Sequence, residues 1–364
     1  MILQYTVQSV TFERTLSMPT HAGPGTLVLT RDDVRALLSM DDCIDAVEGA
    51  FRQHAGGRSI LPGVLGTHVP GGGFHVKTAG LCADGEQSMF AAKVNANFPN
   101  NPTTNGLPTI QGVIALFDAR AGMLLAVLDS IEITSVRTAA ASAVAARHLA
   151  RADATTVCVC GCGEQGRNQL RALTRVRAIR QAFAFDADFS RAESYASELS
   201  RELGIEIVPV RELNDATLAT DIWVTCTPSH RWFLGRANVA PGATVLAVGA
   251  DNPDKHEIEP ELMAASTVVA DVLEQCASIG DLHHALEAGV MQRTDVHAEL
   301  ADVVSGRRPG RERADQIIVF DSTGTALQDV AAAQLVVDRA VARGAGALVD
   351  FGGGRVPNAD AVHR

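Results

Sequence analysis

Aromatic residues are scarce in this chain: Phe, Tyr and Trp make up 4% of its 364 residues. Few side chains are therefore available as stacking platforms for nucleobases. An excess of positive charge is also missing. The formal net charge of −11 at pH 7 argues against nucleic acid or an anionic membrane as the main partner. No apolar run reaches the ~18 residues that a membrane span needs. The opening "MILQYTVQSVTFERTLSMPTHAGPG" lacks the basic start and continuous apolar stretch of a secretory signal, and reads as a short strand or arm ahead of the first domain. The chain has no internal repeat and no low-complexity tract. Its cysteines (Cys43, Cys82, Cys158, Cys160, Cys162, Cys226 and Cys276) are odd in number and irregular in spacing. No disulfide framework is expected from them, and a reduced, cytoplasmic setting is the simplest reading. What remains is a chain with 46% hydrophobic and 20% charged residues, the balance of a soluble globular protein long enough for two domains.

From "LVLTRDDVRALLSMDDCIDAVEGAFRQHAGG" the pattern predicts a strand, a cap at Thr30, a helix, and a second helix from Met40 to about His54. Val34, Leu37 and Leu38, then Ile44, Val47 and Phe51, recur at helical spacing. Glycine-punctuated strands follow, and "TIQGVIALFDARAGMLLAVLDS" reads as two strands around a turn, giving a mostly antiparallel unit. A long alanine-rich helix, "EITSVRTAAASAVAARHLAR", leads out of it. From about Asp153 strands and helices alternate, as in a parallel sheet covered by helices. Helices are expected to begin near Gln165, Ser190, Val210 and Glu259. The closing helix after "DQIIVFDSTG" is expected to return to the first domain.

In "TTVCVCGCGEQGRNQL" three alternating cysteines lead into a glycine-rich turn, so a metal site and a nucleotide loop both need weighing. Cys158 and Cys160 share one strand face, but no second Cys or His pair nearby completes a four-ligand set. Buried packing is the ordinary fate of such cysteines, and no metal is expected. Gly161, Gly163 and Gly166 form G-x-G-x-x-G between a strand and a helix. That spacing gives a tight turn, room for a pyrophosphate, close helix–strand packing, and a helix N-terminus facing the phosphates. Asp186 ends the next strand, "QAFAFD", where a carboxylate binds the ribose hydroxyls and repels a 2′-phosphate. The cofactor implied is NAD.

Further strings widen the picture: "AAKVNANFPNNP", "GLPTIQG", "ITSVRTAAASAVAARHLAR", "GCGEQG", "AVGADNPDKHEIEPELM" and "VFDSTGTALQD". In this order they resemble the ornithine cyclodeaminase/mu-crystallin family, from about Leu27 to about Gly344. The resemblance implies an α/β fold: a Rossmann-type NAD-binding domain (151–320) plus a smaller α+β substrate-binding and dimerisation domain (1–150, with the returning segment 321–364). It implies a homodimer, and hydride transfer at the α-carbon of a small amino or imino acid. Lys93 and Arg137 match the family's carboxylate-holding cations. Asp251 matches its catalytic aspartate. Gln165, Thr109, Thr138, Thr227, Lys255 and Ser322 match positions near the cofactor. Taken without the family, any one Lys or Arg is as readily a solvated surface charge, and Asp251 before Asn-Pro a turn former.

Two departures bear on the substrate. His75 aligns with a glutamate of the cyclodeaminases, and Lys77 and Thr78 with a Met-Pro pair. A family arginine about a dozen residues earlier is replaced within "LPGVLG". Lys77 would restore the lost cation or meet a second anionic group, and His75 is either a substrate contact or a structural histidine. Asp254, where the family has glycine, is tolerable in a turn. The expectation is an NAD(H)-dependent imino-acid (ketimine) reductase or L-amino-acid dehydrogenase. The alternatives are a cyclodeaminase that uses bound NAD catalytically and releases ammonia, and a non-enzymatic ligand-binding protein of the mu-crystallin type.

Overall fold

The computed structural model describes residues 25–82, 88–216 and 220–351; the N-terminal arm expected before Gly25 lies outside them. The first part of the chain runs β1 (Thr26–Leu29), α1 (Arg31–Leu37), α2 (Met40–Ala55), β2 (Ser59–Val69), β3 (Gly72–Leu81), β4 (Met89–Asn97), α3 (Asn101–Thr104), β5 (Ile110–Asp118), β6 (Leu124–Asp129) and α4 (Ser130–Leu149). Thr30 caps α1 as expected, in a capping box with Asp33, which satisfies donors the helix cannot satisfy itself. Strands β2 to β6 are antiparallel neighbours, and β1 adds to β6 in parallel.

The second part runs β7 (Thr156–Cys160), α5 (Glu164–Val176), β8 (Gln181–Phe185), α6 (Phe189–Leu203), β9 (Glu206–Val210), β10 (Ile222–Thr225), β11 (His230–Leu234), β12 (Thr244–Ala247), β13 (His256–Ile258), α7 (Pro260–Ala264), β14 (Thr267–Ala270), α8 (Leu273–Ile279), α9 (Asp281–Glu287), β15 (Ala298–Glu299), α10 (Leu300–Val304) and β16 (Ile318–Asp321). Its eight-stranded sheet has the order β15-β14-β16-β12-β10-β7-β8-β9 and is parallel throughout. The order reverses at β7, where doubly wound sheets open their ligand crevice. Among the described residues the α-helix expected near Val210 is not found: β9 runs to Val210, and a 3-10 turn over Leu213–Asp215 comes after it. Asn214 and Asp215 favour such turns over helix interiors.

The chain then returns. α11 (Ala326–Arg343) packs on α2, α4 and β3, and β17 (Ala347–Val349) closes a seven-stranded sheet of order β17-β1-β6-β5-β4-β3-β2. α4 joins the two halves, since it also packs against α5. Ala139, Ala140, Ala141, Ala143, Ala145 and Ala146 on it are wholly buried; their small side chains let neighbouring backbones approach closely.

The three cysteines leading into the glycine turn, Cys158, Cys160 and Cys162, are buried in the core. Cys158 stands between Phe183 and Trp223 on adjacent strands, so a small side chain fits where two large ones flank it. All seven cysteines are free thiols. Among the described residues, no helix is long and apolar enough to cross a membrane.

Candidate active site

The three glycines of the turn meet three different demands. Gly161 has φ +105°, a conformation L side chains rarely adopt, and an added Cβ would lie 2.8 Å from the carbonyl of Cys226. Around Gly163 nothing lies within 4 Å of such a Cβ, so the backbone is open to a bulky anion. At Gly166 a Cβ would collide with the Gly161 carbonyl, which is the close helix–strand contact of a dinucleotide turn. α5 starts at Glu164 with no side-chain cap on its N-terminus, leaving free N–H groups and the positive end of the helix dipole for phosphate oxygens. Asp186 follows β8 and accepts hydrogen bonds from the backbone N–H of Cys162 (2.9 Å) and Asp188 (3.0 Å). These residues fit NAD without rearrangement.

Beside the turn lies a cleft of about 430 Å³. One wall comes from the carboxyl ends of β10, β12 and β16, through Cys226, Thr227, Gly249, Asp251 and Ser322, where α/β sheets place their ligands. The facing wall is β3 and β4, with the first turns of α4. Antiparallel register pairs Lys77 with Lys93 and His75 with Asn95, so all four point to the same side of the sheet and into the cleft. Arg137, Thr138 and Gln165 line it as well.

Lys93 and Arg137 converge on one carboxylate. Asp329 of α11 lies 2.7 Å from Lys93 Nζ and 3.0 Å from Arg137 Nε, and Arg137 Nη1 donates to Gln328 Oε1 at 2.7 Å. All three charged side chains are buried. Burial and the Arg137 charge push the Lys93 pKa down to about 7, although Asp329 pulls the other way. Lys77, also lowered by burial, donates to the carbonyls of Thr323 (2.9 Å) and Gly324 (2.8 Å).

Asp251 is open to the cleft and accepts from Lys255 Nζ at 2.7 Å. Burial raises its pKa, but Lys255, Lys77 and His75 outweigh that and hold it below the usual carboxylate value. The His75 pKa is lowered by burial, against the pull of Asp251, so its ring is neutral at pH 7. Thr109 leads into β5 beside Ile110, which lines the cleft, and its carbonyl accepts from the Phe98 N–H.

Two acidic residues escaped the sequence reading. Asp329 sits at the end of "VFDSTGTALQD", yet its role depends on where α11 docks. Glu257, fully buried, accepts from Thr227 N–H (2.6 Å), Thr227 Oγ1 (2.7 Å) and Gly249 N–H (2.9 Å). It thus ties the loop after β10 to the loop carrying Asp251. Asp281 in turn accepts from the Glu257 and Ile258 N–H groups. Burial and the neighbouring Asp281 raise the Glu257 pKa.

A turn built to take a pyrophosphate, set against a carboxylate and paired cations in one cleft, defines a Rossmann-type, NAD-dependent oxidoreductase. The chain belongs to the ornithine cyclodeaminase/mu-crystallin family, whose model matches residues 25–344. It is 35% identical to the alanine dehydrogenase of Archaeoglobus fulgidus over 90% of this chain and 98% of that protein. Among solved structures, an archaeal alanine dehydrogenase dimer with bound NAD superposes with a TM-score of 0.85 at 35% identity, covering 90% of this chain and 99% of that one. The Delta(1)-pyrroline-2-carboxylate reductase of Thermococcus litoralis, in complex with NADH and L-proline, gives 0.83 at 33% identity, over 89% of this chain and 100% of that one.

Proposed function

We propose that this protein is an NAD(H)-dependent imino-acid reductase, which in reverse is an L-amino-acid dehydrogenase. The observation that carries the reading is the placing of Asp251 and the Lys93–Arg137–Asp329 cluster in one cleft beside the dinucleotide turn. Bound nicotinamide supplies or accepts the hydride at the substrate α-carbon. Lys93 and Arg137 hold the α-carboxylate, with Asp329 fixing both cations so that little side-chain freedom is lost on binding. Asp251, anionic beside Lys255, stabilises an iminium nitrogen and takes the proton from the ammonium form of the amino acid in the oxidative direction. Thr227, Thr138, Gln165 and Ser322 complete the polar lining at the cofactor end, and Asp186 selects NAD over NADP. Thr109, next to the lining residue Ile110, is proposed as a further cofactor contact.

The cyclodeaminase alternative needs an acidic group for a side-chain ammonium. Among the described residues lining the cleft, the carboxylates are Asp251, already paired with Lys255, and Glu164 at the start of α5. His75, Lys77 and Asn95 occupy the wall instead, and two of the cleft's cations lie there. The test is NADH absorbance with 2-oxo acids plus ammonium or methylamine and with cyclic imines. Ammonia release from ornithine or lysine, without NADH consumption, would replace this reading with the cyclodeaminase.

The proposed assembly is a homodimer through the outer face of the first sheet. Leu65, Val76, Val94 and Val113 stand side by side across β2 to β5. Leu65 is 64%, Val94 38% and Val113 46% exposed, an apolar row of the kind that marks a subunit interface. The proposed division into residues 1–150 with 321–364 and residues 151–320 follows the two large sheets. A cytoplasmic location suits the seven free thiols.

A further inference from the structure

Away from the Lys93–Arg137 pair, the cleft wall carries one more cation. Its described lining carries Lys77, Lys93, Arg137 and Lys255 against Asp251 and Glu164. Lys255 is matched by Asp251 and one of the Lys93–Arg137 pair by Asp329. A substrate α-carboxylate matches the other. Glu164 stands at the start of α5, whereas Lys77 on β3 hydrogen-bonds the neutral carbonyls of Thr323 and Gly324 and has a third N–H for a ligand. Asp251, Asp329 and Asp271 act on its charge, but its hydrogen bonds go to neutral carbonyls, and an anion at the remaining N–H offsets the cost of burying the ammonium.

The neighbouring side chains are donors too. Asn95 Oδ1 already takes the Ser130 hydroxyl at 2.6 Å, so what Asn95 has left to offer is its N–H2 group. His75 lies opposite Asn95 across the β3–β4 pair, and Lys77 is two residues along β3 from it. Cations and N–H donors on adjacent strand positions make a receptor for an acceptor-only group.

We propose that the substrate is a 2-imino (or 2-amino) dicarboxylic acid, whose second carboxylate is held by Lys77 with Asn95 and His75. This rests on the reductase reading above and names its substrate class. In the reductive direction the balance is 2-oxo dicarboxylate, ammonium, NADH and a proton giving the 2-amino dicarboxylate, NAD and water. The C=N bond formed by condensation gains a hydride at carbon and a proton at nitrogen.

The test compares oxaloacetate and 2-oxoglutarate, each with ammonium, against pyruvate with ammonium and Delta(1)-pyrroline-2-carboxylate. We expect kcat/KM for one dicarboxylate to exceed that for both monocarboxylates by about 100-fold or more, because a site built for a charged group rejects substrates that leave it unpaired. That ratio should collapse in Lys77→Met and persist in Lys77→Arg. Equal or better turnover of pyruvate or the cyclic imine overturns the substrate class and leaves the reductase reading standing. A readout without turnover keeps the two apart. In the presence of NAD, L-aspartate or L-glutamate should raise the melting temperature of the wild-type protein more than L-alanine or L-proline at equal concentration. The reverse order overturns the proposal even if no NADH is ever consumed.

Discussion

Asp329→Asn removes one charge and almost no volume from the centre of the site. The native carboxylate lies 2.7 Å from Lys93 Nζ, with the two side chains 0% and 4% exposed. Breaking a buried ion pair by neutralising one partner costs about 3–5 kcal/mol. At 1.36 kcal/mol per pKa unit, the lower figure corresponds to roughly 2 units on the remaining cation. Lys93 already stands at about 7 because of burial and Arg137. Without Asp329 it should titrate about 2 units lower. The sign follows from the direction of the shift: a depressed lysine is charged below its pKa, so its grip on the substrate carboxylate fails as pH rises. For the wild type, kcat/KM should fall above pH ~7 with the slope of one proton, because this parameter reports groups of the free enzyme. In Asp329→Asn the limb should move about 2 units down, with a 50–100-fold loss of kcat/KM at pH 7.5, as the charged fraction falls. In Lys93→Arg, where the guanidinium stays protonated, the limb should vanish. A limb that stays in place in both variants would refute the assignment of Lys93 as the titrating carboxylate anchor.

Other outcomes follow from single contacts. Gly166→Ala drives a Cβ into the Gly161 carbonyl, and should weaken NADH binding about 10-fold or more, read by fluorescence titration. Asp186→Ser removes the carboxylate facing a 2′-phosphate, so KM for NADPH should fall while KM for NADH rises. Glu257→Gln turns an amide N–H2 toward the N–H groups of Thr227 or Gly249. At about 1–3 kcal/mol per unmatched donor, KM for NADH should rise by roughly tenfold or more; an unchanged KM would remove Glu257 from cofactor positioning. Val94→Asp places a charge in the apolar row of the outer sheet face; if the proposed dimer forms there, light scattering should read a monomer for the variant and a dimer for the wild type.

Local chemistry explains what could be read from the chain before folding. The dinucleotide turn is contiguous, so its three glycines and the helix after it are spelled out within a dozen or so residues of text. Arg137 and Lys93 match the family's carboxylate-holding cations, whereas Asp329, though part of a family-like string, becomes their shared partner only because α11 docks from the far end of the chain. Glu257 reads in sequence as an acidic residue in a short strand. Its function exists only because β10 and β12 end side by side and direct Thr227 and Gly249 at it. Near Val210 the expected helix gives way to a 3-10 turn, because Asn214 and Asp215 favour turns over helix interiors.

The central claim is that this cleft performs net, NADH-consuming reduction at the α-carbon of an imino acid. The direct measurement is loss of NADH absorbance in the purified protein offered a 2-oxo acid with ammonium, beside the same protein offered ornithine or lysine and assayed for ammonia. NADH should be consumed with a 2-oxo acid, at a rate lowered about 100-fold or more in Asp251→Asn, and the diamino acids should give no ammonia. Ammonia release with no net NADH change would contradict it.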